Sequence, residues 1–131
     1  MKISVAGIAV KDGKFFVARR AEGGSMSEKW EFPGGKVEDG ESCVEALARE
    51  LMEEFGVKVS VEEQLAETEF ENNGQVRQLK AFRINFLSYD FRLSEHTDWR
   101  WASCGEVEAM NFTPSDLKLL DGIRRCLQEV N

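Results

Sequence analysis

The chain has 131 residues, 31% of them charged, and a formal net charge of −7. That length suits one domain spanning residues 1–131 with a real core and leaves no room for a second. The acidic balance argues against a nucleic-acid polymer as partner, because a phosphate backbone is bound through a basic surface.

Ile3 to Val10 is apolar on both alternating faces, as in a strand buried between layers. Asp12-Gly13 turns it, and Lys14 to Arg20 reads as the returning strand of a hairpin. Ala21 to Lys29 is a polar, glycine-bearing loop, and Trp30-Glu31-Phe32-Pro33 leads from it into a glycine-rich segment at Gly34-Gly35.

Ser42, followed three residues later by Glu45, forms a capping box at the start of a helix. Val44, Leu47, Ala48, Leu51 and Phe55 repeat with helical spacing and are expected to face a core, and Gly56 supplies the stop. At about 100° per residue, Glu50, Glu53 and Glu54 are expected to leave the helix on a different face, where three carboxylates converge. Glu50 and Glu54, one turn apart, repel by a few tenths of a kcal/mol, roughly, which asks for a neutralising partner. A hard divalent cation, Mg²⁺ or Mn²⁺, suits all-oxygen ligands, and the glycine-rich loop can bring a backbone carbonyl to it. A solvated acidic helix face is the alternative reading.

Val57 to Phe70 reads as an exposed strand with a break near Glu62-Glu63-Gln64. Asn72-Asn73-Gly74 is a turn, and Val76 to Leu87 is a strand with Phe82, Ile84 and Phe86 on one face and Ala81, Arg83 and Asn85 on the other. One of these faces is core and the other is available to ligand. Leu93 to Asp98 is loop, Trp99 to Ala102 a short strand, and Gly105 to Ala109 a helical turn. Thr113 as N-cap and Pro114 at the first helical position open a last helix, buried along Leu117, Leu120, Ile123, the stem of Arg124 and Leu127. Hairpin strands around one helix, with another helix at the end, imply an α/β class with a mixed β-sheet packed between helices.

Cys43, Cys104 and Cys126 show no C-x-x-C pairing, and with His96 they build no zinc site of usual spacing. Reduced thiols in a cytoplasmic protein are the expectation. No secretory signal is evident at the N-terminus, and no run approaches membrane-spanning length.

Gly35, then five residues, Glu41, then seven, then Arg49-Glu50-Leu51-Met52-Glu53-Glu54-Phe55-Gly56-Val57 resembles the signature of the Nudix hydrolases without a departure. Arg19-Arg20-Ala21, the run Trp30 to Gly35, and the closing Phe112 to Leu117 extend the resemblance over nearly the whole chain, toward the MutT-type nucleoside-triphosphate branch. That branch includes 8-oxo-dGTP and CTP pyrophosphohydrolases. The resemblance implies an α/β/α sandwich and cleavage of a nucleoside triphosphate to monophosphate and pyrophosphate by a metal-activated water; whether the protein is a monomer or a homodimer stays open. It makes Glu50, Glu53, Glu54 and the carbonyl of Gly35 ligands of Mg²⁺. Arg49 would orient a catalytic carboxylate through a forked pair, with Glu41 as a supporting acid.

In the family the proton acceptor is a box glutamate or a carboxylate from a later loop. Glu95 matches that later position and would join the metal ligands, with Asp98 as competitor and an ordinary loop acid as the alternative. Arg20 and Lys36 match residues that hold phosphate, whereas strand alternation sends Arg19 to the surface. Asp116 occupies the position that lies against the base, with Arg77, Gln78 and Phe82 on the facing strand as further contacts; Phe82 serves equally as core. MutT oxidised-guanine enzymes place Asn at that position. An ionised Asp accepts from an exocyclic amine, as from cytosine N4, and donates only when protonated. The expected substrate is CTP, dCTP or a 5-substituted dCTP, with 8-oxo-dGTP as the alternative and a role in nucleotide pool sanitation in either case. Asp116 also suits an N-terminal cap of the last helix. Trp30, Trp99 and Trp101 suit packing. A Nudix domain that senses a nucleotide without hydrolysing it is the non-enzymatic rival.

Overall fold

A computed structural model describes residues 2–24 and 26–125. Strand β1 (Lys2–Ile8) is followed by β2 (Val10–Lys11) and then by Asp12 and Gly13, whose φ of 52° and 74° make a hairpin turn that a short polar residue and a glycine favour. The return is β3 (Lys14–Arg20), paired antiparallel with β2. Beyond the polar loop lie β4 (Trp30–Glu31) and β5 (Gly34–Lys36), so the glycine-rich segment is itself a strand, antiparallel to β1.

Helix α1 (Cys43–Phe55) follows. Both bonds of the Ser42–Glu45 capping box form, and Gly56 ends the helix at a left-handed φ of 68°. Its buried face differs from the expected stripe. Val44 is 48% exposed, while Ala46, Leu47, Leu51, Glu54 and Phe55 are buried. The reason is rotational: seven residues carry Glu54 back to within about 20° of Leu47, so this carboxylate sits on the core side of the helix.

Strand β6 (Val59–Asn72) breaks where the glutamates cluster, with register shifts between Val61 and Gln64 and between Gln64 and Ala66. Strand β7 (Gln75–Phe86) pairs antiparallel with β6 and parallel with β1, giving one mixed sheet ordered β5-β1-β7-β6. Strand β8 (His96–Ala102) begins earlier than expected, because pairing with β3 continues past a register shift at Arg19/Arg20 to join Arg20 to His96. It completes a second sheet of β2, β3, β4 and β8.

Helix α2 (Cys104–Ala109) starts from a second capping box, Ser103 with Glu106. The expected single last helix is two short ones, α3 (Pro114–Leu117) and α4 (Leu120–Ile123). Thr113 makes no side-chain cap bond, Leu117 is 38% exposed, and Asp116, Leu119, Leu120 and Ile123 take the inward positions. Leu127 lies outside the described residues.

Alternation along β3 shows how the layers stack. Phe15 and Val17 join a core with Leu79, Leu119 and Ile123, whereas Phe16 and Ala18 join another with Leu47, Leu51, Phe55 and Ile84. Strands therefore lie between helical layers, the α/β/α arrangement that the pattern implied. The close seat of β5 on β1 depends on Gly34, where a Cβ would run into the Val5 carbonyl. Gly34→Ala is expected to lower unfolding free energy by about 2 kcal/mol or more, read by chemical denaturation; an unchanged midpoint would refute this seating.

Candidate active site

Arg49 of α1 stands at the centre of an acidic group. Its Nε and Nη2 form a fork on Glu41 at 2.7 and 3.0 Å, and Nη1 donates to Glu50 at 2.9 Å and to Glu53 at 3.0 Å. Nη2 also donates to the Lys36 carbonyl at 3.0 Å, tying helix to β5. A planar guanidinium suits this role because its donors are fixed in a fork. The hydrogen bonds from Arg49, and one from the Glu38 backbone, hold the Glu41 carboxyl down at about 2.

Glu50 lies against Gly35, where a Cβ would collide with its carboxylate. Burial raises the Glu50 pKa; Arg49 opposes this, and the charges of Glu53 and Glu95 add to it. Glu54 is more extreme. It is 5% exposed, its Oε1 has no hydrogen-bond partner, and burial followed by the charges of Glu50, Glu31 and Glu95 pushes it up to about 10.

Glu95 reaches this group because its loop completes the end of α1. The last carbonyls of a helix lack partners within it. Here the Arg92 N–H donates to Phe55 O at 2.8 Å, the Ser94 N–H to Glu54 O at 3.2 Å and Ser94 Oγ to Glu53 O at 2.9 Å. Asp98 is directed elsewhere, accepting from its neighbour Trp99 N–H at 2.8 Å.

Two residues join the group that sequence reasoning did not select. Glu31 Oε2 lies 2.9 Å from His96 Nε2 and 3.2 Å from Arg20 Nη1, and the His96 ring stacks on Phe55. One signal was present: in an extended run, Glu31 points away from the face shared by Trp30 and Phe32.

The acids do not stand as a ready cage. Among the described residues no three His, Cys, Asp or Glu side chains are grouped to hold an ion, because Glu50 and Glu53 turn to Arg49. The donor set nevertheless fits a hard divalent cation. It is all oxygen, like charges crowd it, and the orphaned buried Oε1 of Glu54 is an acceptor without a donor.

Beside this group a cavity of about 570 Å³ opens, lined among others by Arg20, Glu31, Phe32, Lys36, Leu79 and Asp116. Asp116 is 7% exposed and its Oδ2 accepts from the Phe32 N–H at 2.9 Å. Burial, with the charge of Glu31, lifts its carboxyl to about 7. The carboxylate thus serves a segment distant in the chain rather than the cap of α3.

Other expected contacts fall away from this cavity. Phe82 packs in the α1-side core. Arg77 is buried, donating to Ser4 Oγ and to the Ile3 carbonyl, each at 3.2 Å. Gln78 donates to Glu67 at 2.6 Å on the exposed side. Arg19 pairs with Glu28 at the surface, on the other side of β3 from Arg20.

Comparison with known proteins places this arrangement. The NUDIX domain matches residues 1–123. The chain is 36% identical over 117 residues to the CTP pyrophosphohydrolase of Escherichia coli (strain K12), covering 89% of this chain and 87% of that protein. It is 33% identical over 129 residues to the putative 8-oxo-dGTP diphosphatase 2 of Mycobacterium tuberculosis (strain H37Rv), covering 96% and 90% respectively. The solution structure of the E. coli ORF135 protein superposes with a TM-score of 0.86 at 34% identity, covering 100% of this chain and 95% of that one.

A raised carboxyl favours the folded state most below its ordinary value and loses that contribution as pH climbs through the folded value. Glu54, at about 10 against 4.5, and Asp116, at about 7 against 3.8, both act in this sense. The metal-free protein is therefore expected to lose Tm between about pH 5 and pH 9, and millimolar Mg²⁺ or Mn²⁺ to restore it while releasing protons into weak buffer. A Tm indifferent to both ions, with no proton release, would remove Glu54 from the ligand set.

Proposed function

The chain belongs to the NUDIX family, and from that premise we propose that it hydrolyses a cytosine nucleoside triphosphate, CTP, dCTP or a 5-substituted dCTP, to the monophosphate and pyrophosphate. The observation that carries the choice of base is Asp116, buried at the cavity wall with Oδ2 fixed by the Phe32 N–H. Its other oxygen is left to accept from an exocyclic amine, as a carboxylate does from cytosine N4. Because this carboxyl sits at about 7, a protonated fraction exists near neutral pH and donates instead. That fraction favours the second reading, 8-oxo-dGTP.

Mg²⁺, with Mn²⁺ as substitute, would be held by Glu50, Glu53, Glu54, Glu95 and the Gly35 carbonyl, and supplies charge neutralisation of the polyphosphate and activation of water. Arg49 orients Glu50 and Glu53 by its hydrogen bonds to both. Arg20 and Lys36, at the cavity wall, hold phosphate oxygens. The proton of the attacking water goes to Glu53 or Glu95, both exposed to solvent, whereas Glu54 is buried. The enzyme would act on free nucleotides in the cytoplasm as part of pool sanitation, as a monomer or homodimer.

A screen of nucleoside triphosphates with pyrophosphate detection tests the reading. Release of pyrophosphate from CTP or dCTP ahead of 8-oxo-dGTP is the expected result, and binding without product would favour a sensor. Glu53→Gln is expected to cut kcat by about 10²-fold or more with the fold intact; near-normal kcat would remove it from the machinery. The preference for CTP over 8-oxo-dGTP should rise as pH passes upward through about 7, where Asp116 ionises, and Asp116→Asn should abolish that trend. A kcat/KM ratio unchanged by pH and by this substitution would exclude Asp116 from base choice.

A further inference from the structure

His96 is the only histidine in the chain, and the reading above gives it no task. Strand β3 lies between β4 and β8 and has a neighbour on each edge. Ala18 stands opposite Glu31, and Arg20, two residues on, points to the same face. Arg19 stands opposite Asp98, so an unbroken ladder would set Arg20 opposite Thr97. The register shift between Arg19 and Arg20 puts His96 there instead. Irregularities of this kind re-aim side chains. Here Arg20, Glu31 and His96, from three adjacent strands, meet beside the last turn of α1.

The His96 side chain is 1% exposed, its ring stacks on Phe55 with centroids 5.0 Å apart, and Nε2 lies 2.9 Å from Glu31 Oε2. Nδ1 is buried with no hydrogen-bond partner. A proton on Nδ1 would be a buried donor without an acceptor, which is unfavourable, so the ring carries its proton on Nε2 and donates it to Glu31. Glu31 in turn accepts from Arg20 Nη1, at 3.3 Å on Oε1 and 3.2 Å on Oε2. Among the described residues Nη1 is the only atom of this guanidinium with a hydrogen-bond partner, which leaves Nε and Nη2 as donors at the cavity wall. The Arg20 side chain is half-exposed, and without a brace it would lose much rotamer freedom on meeting a ligand.

Resting on the reading in which Arg20 holds a phosphate, we propose that His96 is a positioning residue: as a fixed Nε2–H donor it holds Glu31, and through Glu31 it aims Arg20 at the nucleotide. Because the imidazole is stacked on the last residue of α1, the aim of Arg20 is set by the same helix that carries the acids.

With one histidine in the chain, a long-range ¹H–¹⁵N spectrum near neutral pH reads the tautomer directly. Nε2 is expected to be protonated and Nδ1 bare; a proton on Nδ1 would overturn the assignment. Calorimetric titration of the metal-free full chain with CTP then reads the aim of Arg20 without turnover. His96→Phe, which keeps a ring against Phe55, is expected to weaken CTP about fivefold, and His96→Gln, whose amide nitrogen can donate to Glu31, to recover part of that loss. In an Arg20→Met background, His96→Phe should change CTP binding by less than about 1.5-fold. An undiminished loss in that background would mark a packing residue, and CTP binding indifferent to Arg20→Met would overturn the assignment too. Glu31→Gln serves if His96→Phe does not fold, with the same expectation in both backgrounds. Failure of the hydrolase reading looks different: no pyrophosphate is released from any triphosphate, while CTP binding still depends jointly on Arg20 and His96.

Discussion

The fork between Arg49 and Glu41 is the interaction on which the candidate site depends. Glu41 sits just before the helix and Arg49 in its second turn, so the pair clamps the incoming loop to α1. With two donors fixed on Glu41, the remaining Nη1 is aimed at Glu50 and Glu53, and Nη2 also reaches the carbonyl of Lys36. One side chain thereby sets the distance between strand β5 and the acidic helix. Glycine at position 35 is the matching half of the fit, since any larger residue would occupy the space of the Glu50 carboxylate.

The rest of the fold holds this clamp at the edge of a sheet. Strand β3 feeds both cores by alternation, with aromatic rings of Phe16, Phe55, Phe86, Phe91 and Trp99 packed on the α1 side. That packing makes the α1 side apolar, and Glu54 is buried beside it on the helix. It is retained at the rim of the core, where burial and three neighbouring carboxylates hold it in its neutral form. A neutral acid at this place suits a protein awaiting a cation, because it lowers the repulsion within the group until an ion displaces the proton.

Local signals were the most readable. The capping box at Ser42, the stop at Gly56, the Asp12-Gly13 turn and the break among Glu62, Glu63 and Gln64 are short-range chemistry, and each stands where the residues indicated. The box motif was readable because its spacing is rigid. Three kinds of information were not. Helix rotation hid the inward position of Glu54 behind an apolar stripe that assigned the burial to Val44. Tertiary packing split the final helix and turned Asp116 toward Phe32, a pairing across 84 residues that no window of sequence contains. The contribution of Glu31 and His96 depends on β4 and β8 each pairing with β3, and pairing between distant strands cannot be read from either strand alone.

The tether between the loop at 92–95 and the end of α1 has a consequence for how a ligand arrives. Those backbone donors occupy carbonyls that would otherwise be bare, so lifting the loop would strip the helix end of its partners. The segment carrying Glu95 is therefore anchored before any ligand comes, and this carboxylate stands beside the acids of α1 without a backbone rearrangement.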